Sequence, residues 1–257
     1  MKFVKNLLIF VMLALGQIAQ AQLFKLEAGI GATQISWHEN EKTVDLNVQL
    51  SIQKKQSKSK FFVALKAYGN IERSQVDRSK YTFIEPRNTN STIIHPNDAL
   101  FSNYRGSEAE IGVMWNQKES KKPVFYPILS IYSKSVARKI STVKSQYMEE
   151  EKYRLHGINT GIGLKIPGPV AFNFQGQVFK PILSDISLYG NYFGVPSSSI
   201  GSNNSLSYIG KLGFRKAKIG ALIAYEVLNL GSTKNKNTKS IPVSQLNSLS
   251  ISFQYEF

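Results

Sequence analysis

The chain has 257 residues, 42% of them hydrophobic, and no cysteine, so it has no disulfide, thiol nucleophile, thiolate metal site or lipid-modified N-terminal cysteine. Its 32 Lys and Arg outnumber 17 Asp and Glu, which gives a formal charge of +15. A basic chain first suggests nucleic acid as a partner, but the export signal described next favours anionic lipid headgroups instead.

The chain begins with the pattern of a signal peptide. Two early lysines precede an almost purely apolar run over residues 7–15, and a small-x-small cleavage site ends at Ala21. The apolar run is too short to cross about 30 Å of hydrocarbon as a helix. The sequence therefore predicts a signal peptide over residues 1–21 and an exported mature chain over residues 22–257, large enough for one all-β domain or two small ones.

Alternation of apolar and polar residues is the main signal in the mature chain, and it is unbroken over residues 43–53 and 247–257. Successive side chains of a strand point to opposite faces, so each segment has one apolar and one polar face. In the first segment the apolar face consists of Val44, Leu46, Val48, Leu50 and Ile52, and the polar face of Asp45, Asn47, Gln49, Ser51 and Gln53.

Weaker alternation elsewhere predicts ten strands in total, each close to the roughly 9–11 residues that a tilted membrane strand needs. They lie near 23–36, 43–53, 61–71, 107–117, 124–134, 154–166, 170–180, 206–215, 218–228 and 247–257. The segment 124–134 gives the weakest pattern, because Pro127 interrupts the ladder and both faces are apolar. The spacing also allows eight or twelve strands.

The connections alternate in length. The odd-numbered ones, four of them long, are 38–42, 72–106, 135–153, 181–205 and 229–246, and the short even-numbered ones are 54–60, 118–123, 167–169 and 216–217. Bacterial barrels have long outer loops and short periplasmic turns. The pattern therefore predicts a barrel with both termini in the periplasm.

Aromatic residues fall at the predicted strand ends, as in the two aromatic girdles of membrane barrels. Those at the periplasmic ends are Phe24, Phe61, Trp115, Phe125, Phe214 and Phe257, and those near the outer ends are Trp37, Tyr68 and Tyr189.

The last strand carries a resemblance to a known family. Phe257 as the final residue, after Phe253 and Tyr255, resembles the C-terminal signature of outer-membrane β-barrels, which the barrel-assembly machinery reads. The mature chain resembles the porin-like superfamily of small outer-membrane barrels of double-membrane bacteria. This resemblance implies a closed antiparallel transmembrane β-barrel, contact with outer-membrane lipids and lipopolysaccharide, and recognition of the strand ending in Phe257 by the assembly machinery.

Polar faces of the strands should line the lumen of such a barrel, and ten strands leave little free space inside. We therefore expect a narrow or plugged lumen with many hydrogen bonds and ion pairs. The predicted lumen residues are Asp45, Asn47, Gln49, Lys66, Glu108, Glu110, Asn173, Gln175, Gln177, Lys211, Arg215 and Glu256.

Basic residues recur in the predicted periplasmic turns, where they could form a ring against inner-leaflet phosphates or serve only as solubilising charge. They are Lys54, Lys55, Lys58, Lys60, Lys118, Lys121, Lys122, Arg215, Lys216 and Lys218.

We expect no catalytic, cofactor or metal site. A serine hydrolase needs Ser, His and an acid within hydrogen-bond reach, and the sequence does not show this for His38, His95 or His156. The acidic run 149–151 is interpreted as a solvated loop, although it could bind a divalent cation. The basic tract 234–239 is either a solvated loop or a contact for lipopolysaccharide phosphates.

The sequence thus predicts an integral outer-membrane barrel without enzymatic activity, with a structural, adhesive or ligand-contacting role through long outer loops. The alternatives are a small-solute pore, and then an outer-membrane enzyme that hydrolyses lipid or peptide.

Overall fold

The computed structural model describes residues 23–36, 40–53, 58–70, 73–75, 99–116, 121–142, 149–190, 205–229, 233–235, 238–241 and 245–257. The predicted signal peptide lies outside these ranges. Ten long strands are present: β1 Leu23–Ser36, β2 Asn40–Gln53, β3 Lys60–Asn70, β4 Leu100–Met114, β5 Val124–Thr142, β6 Glu149–Ile166, β7 Ala171–Gly190, β8 Ser207–Lys216, β9 Ile219–Asn229 and β10 Gln245–Glu256. Three short strands, Ser74–Gln75, Thr233–Asn235 and Thr238–Ile241, belong to the connections. Within the described ranges, no helix has the length and hydropathy that crossing a bilayer requires.

The ten long strands form one closed antiparallel barrel. Each strand pairs with its neighbours in the chain, and β1 closes the sheet by pairing with β10 from Glu27 opposite Glu256 to Ser36 opposite Asn247. An open sheet edge leaves backbone N–H and C=O groups unpaired, and unpaired groups are too costly in hydrocarbon. Closure of the barrel pairs these groups. The all-β fold and the strand count of ten are confirmed.

The two faces of the strands are as the alternation predicts. Leu46 is 61% exposed on the outside of the barrel, whereas its neighbour Asp45 is 1% exposed and faces the lumen. The last strand repeats this arrangement, with Ile251 and Phe253 outside and Ser252 inside. The barrel therefore has an apolar outer face and a largely polar lumen.

Strands β4 to β7 are longer than predicted at the end of the barrel where the long connections lie, called here the loop end. The predicted long loop over 135–153 is wrong, because β5 and β6 continue through most of it and leave only residues 143–148 between them. Val136, Arg138 and Ile140 are all buried and face the inside of this extension. Charged and apolar residues share its inner face, which hides the alternation in the sequence.

The aromatic girdles are confirmed in part. At the opposite end, called here the turn end, Trp115, Phe125 and Phe257 are exposed on the outer face. Near the loop end, however, Tyr68 is buried in the lumen, and exposed Tyr208 and Tyr225 lie outside instead. The side chains of Phe24, Trp37 and Tyr189 fall outside the described set.

Candidate functional site: the barrel lumen

The lumen contains a cavity of about 290 Å³ in the half of the barrel nearer the turn end. Every one of the twelve polar residues that the alternation assigns to the lumen lines this cavity. All ten long strands contribute to its wall, because alternate residues of each strand face inward.

Basic and acidic side chains meet at the turn-end mouth of the cavity. Arg215 lies 2.7 Å from Glu27 and also contacts Glu256, and Lys25 lies 3.0 Å from Glu256. Lys60 lines the same cavity. The predicted basic ring is therefore wrong for Lys60 and Arg215, which point into the lumen because inward-facing positions continue to the ends of their strands.

A buried ion network crosses the lumen at mid-height. The Lys134 ammonium lies 3.0 Å from Glu108 and contacts Glu226, and the Lys134 side chain is only 2% exposed. The Tyr132 hydroxyl donates a hydrogen bond of 2.8 Å to Glu226, and Ser248 donates another of 3.2 Å. A charge this far from water needs such partners, because desolvating an unpaired ion is costly.

A second cluster lies beside this network. The Lys211 ammonium is 3.0 Å from Glu110, whose other carboxylate oxygen accepts hydrogen bonds from Ser130 at 2.7 Å and Asn159 at 3.4 Å. The predicted ion pairs and hydrogen bonds of the lumen are confirmed.

An apolar and aromatic cluster fills the lumen above these networks, toward the loop end. Its members, called the loop-end cluster, are Ile35, Tyr68, Tyr104, Tyr132, Val136, Tyr153, Leu155, Phe179, Ile209, Leu228 and Leu246. Tyr132 and Phe179 make an edge-to-face contact with ring centroids 5.2 Å apart. The Tyr68 ring covers Gly106 on the neighbouring strand, at a position where any Cβ atom would overlap the ring. This close packing leaves the cluster members at most 6% exposed.

The lumen is therefore accessible from one end. Exposure falls from 46% for the Lys25 side chain at the turn end to 0% for Tyr104 in the loop-end cluster. Polar side chains join this closure: Glu41 is fully buried and accepts a hydrogen bond from Asn70 at 2.7 Å and another from Ser102.

No protein-family model matches the sequence, and no curated protein matches it either. Solved structures match across nearly the whole chain. The outer membrane protease OmpT from Escherichia coli is 6% identical, with 92% of this chain and 97% of that one covered and a TM-score of 0.52. The fold is that of an outer-membrane β-barrel.

Two further barrels are more distant in shape. The translocator domain of the autotransporter NalP from Neisseria meningitidis is 10% identical to this chain, with a TM-score of 0.45. The match covers 95% of this chain and 92% of the NalP chain. The attachment invasion locus protein Ail of Yersinia pestis is 8% identical, covering 91% and 97%, with a TM-score of 0.39. At such identities the likeness concerns the fold alone. Together with the apolar outer face, the fold confirms the predicted outer-membrane location.

Only one histidine of this outer-membrane barrel falls within the described residues. His156 is exposed on the outer face, opposite Ser133 on one side and Leu183 on the other, beside the register shift between β6 and β7. Asp185 lies two pairs further along and forms an ion pair with Arg154 at 3.6 Å. Among the described residues, no hydrogen bond connects Ser133, His156 and Asp185. His38 and His95 lie outside the described ranges.

The acidic and basic tracts differ from their predicted loops. Residues 149–151 belong to β6, where the Glu150 carboxylate lies 3.2 Å from Arg105 and 3.8 Å from Lys139. The described part of the chain contains no group of three or more possible metal ligands. Part of the tract 234–239 forms the short hairpin between Thr233–Asn235 and Thr238–Ile241.

Sequence reasoning missed Lys134, Glu226 and the loop-end cluster. Lys134 is the last residue of the weakest predicted strand, where both faces contain apolar residues. The sequence nevertheless contains one signal for Lys134. Ser130 and Lys134 are at even-numbered positions of the strand, whereas apolar Phe125, Leu129 and Ile131 are at odd-numbered positions. Lys134 therefore shares the face of Ser130, which is the lumen face.

Proposed function

We propose that this protein is a non-enzymatic, non-conducting barrel of the outer membrane, with a structural, adhesive or ligand-contacting role that its loop end performs outside the cell. The observation that carries the proposal is the loop-end cluster, which closes the lumen above the ion network of Lys134, Glu108 and Glu226. A lumen with packed side chains at one end offers no continuous water path for solutes. The extension of β4 to β7 provides a surface at the loop end instead.

A closed lumen has a direct electrical consequence. In planar bilayers, the purified barrel should give no ion conductance above the lipid background. As a matched variant, Tyr104→Gly combined with Tyr132→Gly and Phe179→Gly removes three rings of the cluster, and this variant should conduct if it folds. Stable open channels from the unmodified protein would contradict the closed lumen and favour the pore.

The absence of enzymatic activity rests on the surroundings of His156. Its potential acid partner Asp185 already pairs with Arg154, and a hydrolase needs the acid to orient the histidine. We expect no hydrolysis of phospholipid, lipid A or unfolded peptide by the folded barrel above the rate of a His156→Ala variant. Turnover that His156→Ala and Ser133→Ala both abolish would establish the enzyme instead.

We place the loop end outside the cell and both termini in the periplasm, following the loop-length rule of bacterial barrels. Protease added to intact cells should then cut within residues 191–206 and spare the turn at 54–59. The opposite pattern would invert the orientation. Phe253 and Tyr255 on the outer face of β10, and Phe257 directly after it, form an exposed row, which supports recognition of this strand by the barrel-assembly machinery.

A further inference from the structure

Small inward-facing residues on β8, β9 and β10 leave room for the cavity in the turn-end half of the lumen. They are Gly213, Ala224, Ser250 and Ser252. A Cβ atom at Gly213 would lie 3.6 Å from the Cβ of Asn173, which is an ordinary contact, so the backbone does not require glycine here. The cavity volume of about 290 Å³ is close to the roughly 300 Å³ at which small-molecule sites begin. The lumen therefore has space for one small molecule.

Two lysines at the turn-end mouth of this cavity, Lys60 on β3 and Lys165 on β6, make no ion pair with any described residue. The charge of Lys60 interacts with those of Lys25, Lys165 and Arg215, and with one carboxylate, that of Glu27. Because β3 and β6 are not neighbours in the sheet, these cations approach the mouth from different sides of the barrel. An anion held between them would contact more than one cation.

Farther inside, the cations are more accessible than the carboxylates that they pair with. The side chain of Lys211 is 24% exposed and that of Glu110 5%, and Lys66 is 18% exposed against 0% for Asp45. The order reverses at the closed end, where Lys134 is 2% exposed. Since an ammonium has three donors, Lys66 and Lys211 can each bind a further acceptor. A molecule in the cavity therefore meets these ammonium groups before the carboxylates behind them.

Uncharged polar groups face the same space. The Gln49 amide on β2 and the hydroxyls of Ser250 and Ser252 on β10 line the cavity, and none of the three forms a side-chain hydrogen bond with another described residue. Amides and hydroxyls can both donate and accept hydrogen bonds, as the hydroxyls of a sugar do. A ligand with several hydroxyl groups would find partners here, whereas a hydrocarbon ligand would leave these groups unpaired.

We propose that the cavity binds a small sugar phosphate that enters through the turn-end mouth, with its phosphate between Lys60 and Lys165 and its hydroxyl groups on Gln49, Ser250 and Ser252. A phosphate suits this mouth because its three terminal oxygens can accept hydrogen bonds from several cations at once. A free phosphate ion would use the cations but leave the amide and hydroxyl wall to water. The inference goes beyond the proposed function and uses it only to identify the turn end with the periplasm.

The first test removes the two lysines that have no ion pair. In isothermal titration in zwitterionic detergent, the barrel should bind at least one of glucose 6-phosphate, ribose 5-phosphate and glucosamine 1-phosphate. Lys60→Gln/Lys165→Gln should weaken this binding about tenfold or more, because it removes two charge-assisted hydrogen bonds to the phosphate and leaves no carboxylate unpaired. Lys216→Gln/Lys218→Gln removes two exposed lysines at the same end that do not line the cavity, and it should bind like the wild type.

The second test fills the cavity without changing any charge. Gly213→Phe directs a ring into the lumen and should abolish the binding, because the ring occupies the space that the sugar needs. Gly210→Phe is the matched control on the same strand. Gly210 faces outward, and a Cβ atom there would lie 3.9 Å from the Tyr225 carbonyl oxygen, so this ring points toward lipid and should leave binding unchanged.

The parent compounds identify the ligand chemistry. The unphosphorylated sugar and inorganic phosphate should each bind about tenfold or more weakly than the sugar phosphate, since each lacks one set of contacts. The proposal is overturned if none of the sugar phosphates binds, if inorganic phosphate binds as tightly, which would indicate an anion site only, or if the lysine variant and its control lose binding equally. Heat-modifiable gel migration verifies folding, and the Gly213→Phe comparison decides the outcome if the lysine variant does not fold. Neither conductance nor hydrolysis enters this readout, so its failure is distinguishable from failure of the proposed function.

Discussion

Val48→Arg should lower the free energy of unfolding of the barrel in lipid vesicles by about 2–4 kcal/mol, the cost of a cation at a lipid-facing position near the bilayer midplane. Val48 lies in the middle of β2, 43% exposed on the outer face, between Ala28 and Leu65 of the neighbouring strands. Hydrocarbon offers an arginine at this place no counter-ion and little water. Urea titration of the vesicle-inserted protein measures the change.

Gln49→Arg is the matched control, one residue along the same strand. Gln49 lines the cavity and lies opposite Glu27 of β1, so an arginine there finds water and a carboxylate. Its effect should be much smaller than that of Val48→Arg. Equal losses for the two variants would mean that the outer face of β2 does not contact lipid.

Lys134→Met should be the most destabilising single substitution in the lumen, at about 3–5 kcal/mol, because it leaves Glu108 and Glu226 as uncompensated charges next to a buried cluster. Lys121→Met removes a lysine from an exposed turn and should change stability by no more than about 0.5 kcal/mol. The same vesicle titration compares the two.

A triple variant separates lost pairing from lost packing. Lys134→Met with Glu108→Gln and Glu226→Gln removes the whole ionic network while keeping the side-chain volumes, and replacing complete buried ion pairs in this way is often neutral. We expect it to recover most of the stability that Lys134→Met loses. If the triple variant is as unstable as Lys134→Met, then unpaired Glu108 and Glu226 carboxylates do not cause the loss of stability in the single variant.

Sequence alternation predicted the faces of the strands well, because a two-residue period is a property of each strand alone. It identified twelve of the polar residues of the cavity wall without any knowledge of pairing. It could not predict which of them form ion pairs. Lys134 and Glu226 are 92 residues apart and sit on strands that are not neighbours, so their contact depends on the stagger of the whole barrel.

The loop end was harder to predict for a different reason. In the membrane the polar face points inward, but from Tyr132 onward the inner face of β5 carries apolar Tyr132 and Val136 beside charged Lys134 and Arg138, while the outer face carries Ser133 and Ser135. Polar and apolar residues therefore alternate poorly between the two faces of this part of the strand. A strand such as 124–142, whose inner face is mixed in this way, shows little periodicity in its sequence.

The composition of the loop-end cluster has a consequence for folding. Its eleven members come from nine of the ten long strands, from Ile35 on β1 to Leu246 on β10. A sheet of fewer strands has no complete version of this core, since each ring needs partners from across the barrel. Most of the packing energy is therefore gained in the final stage, when β1 meets β10. Unfolding should accordingly be one cooperative transition, without a stable half-barrel.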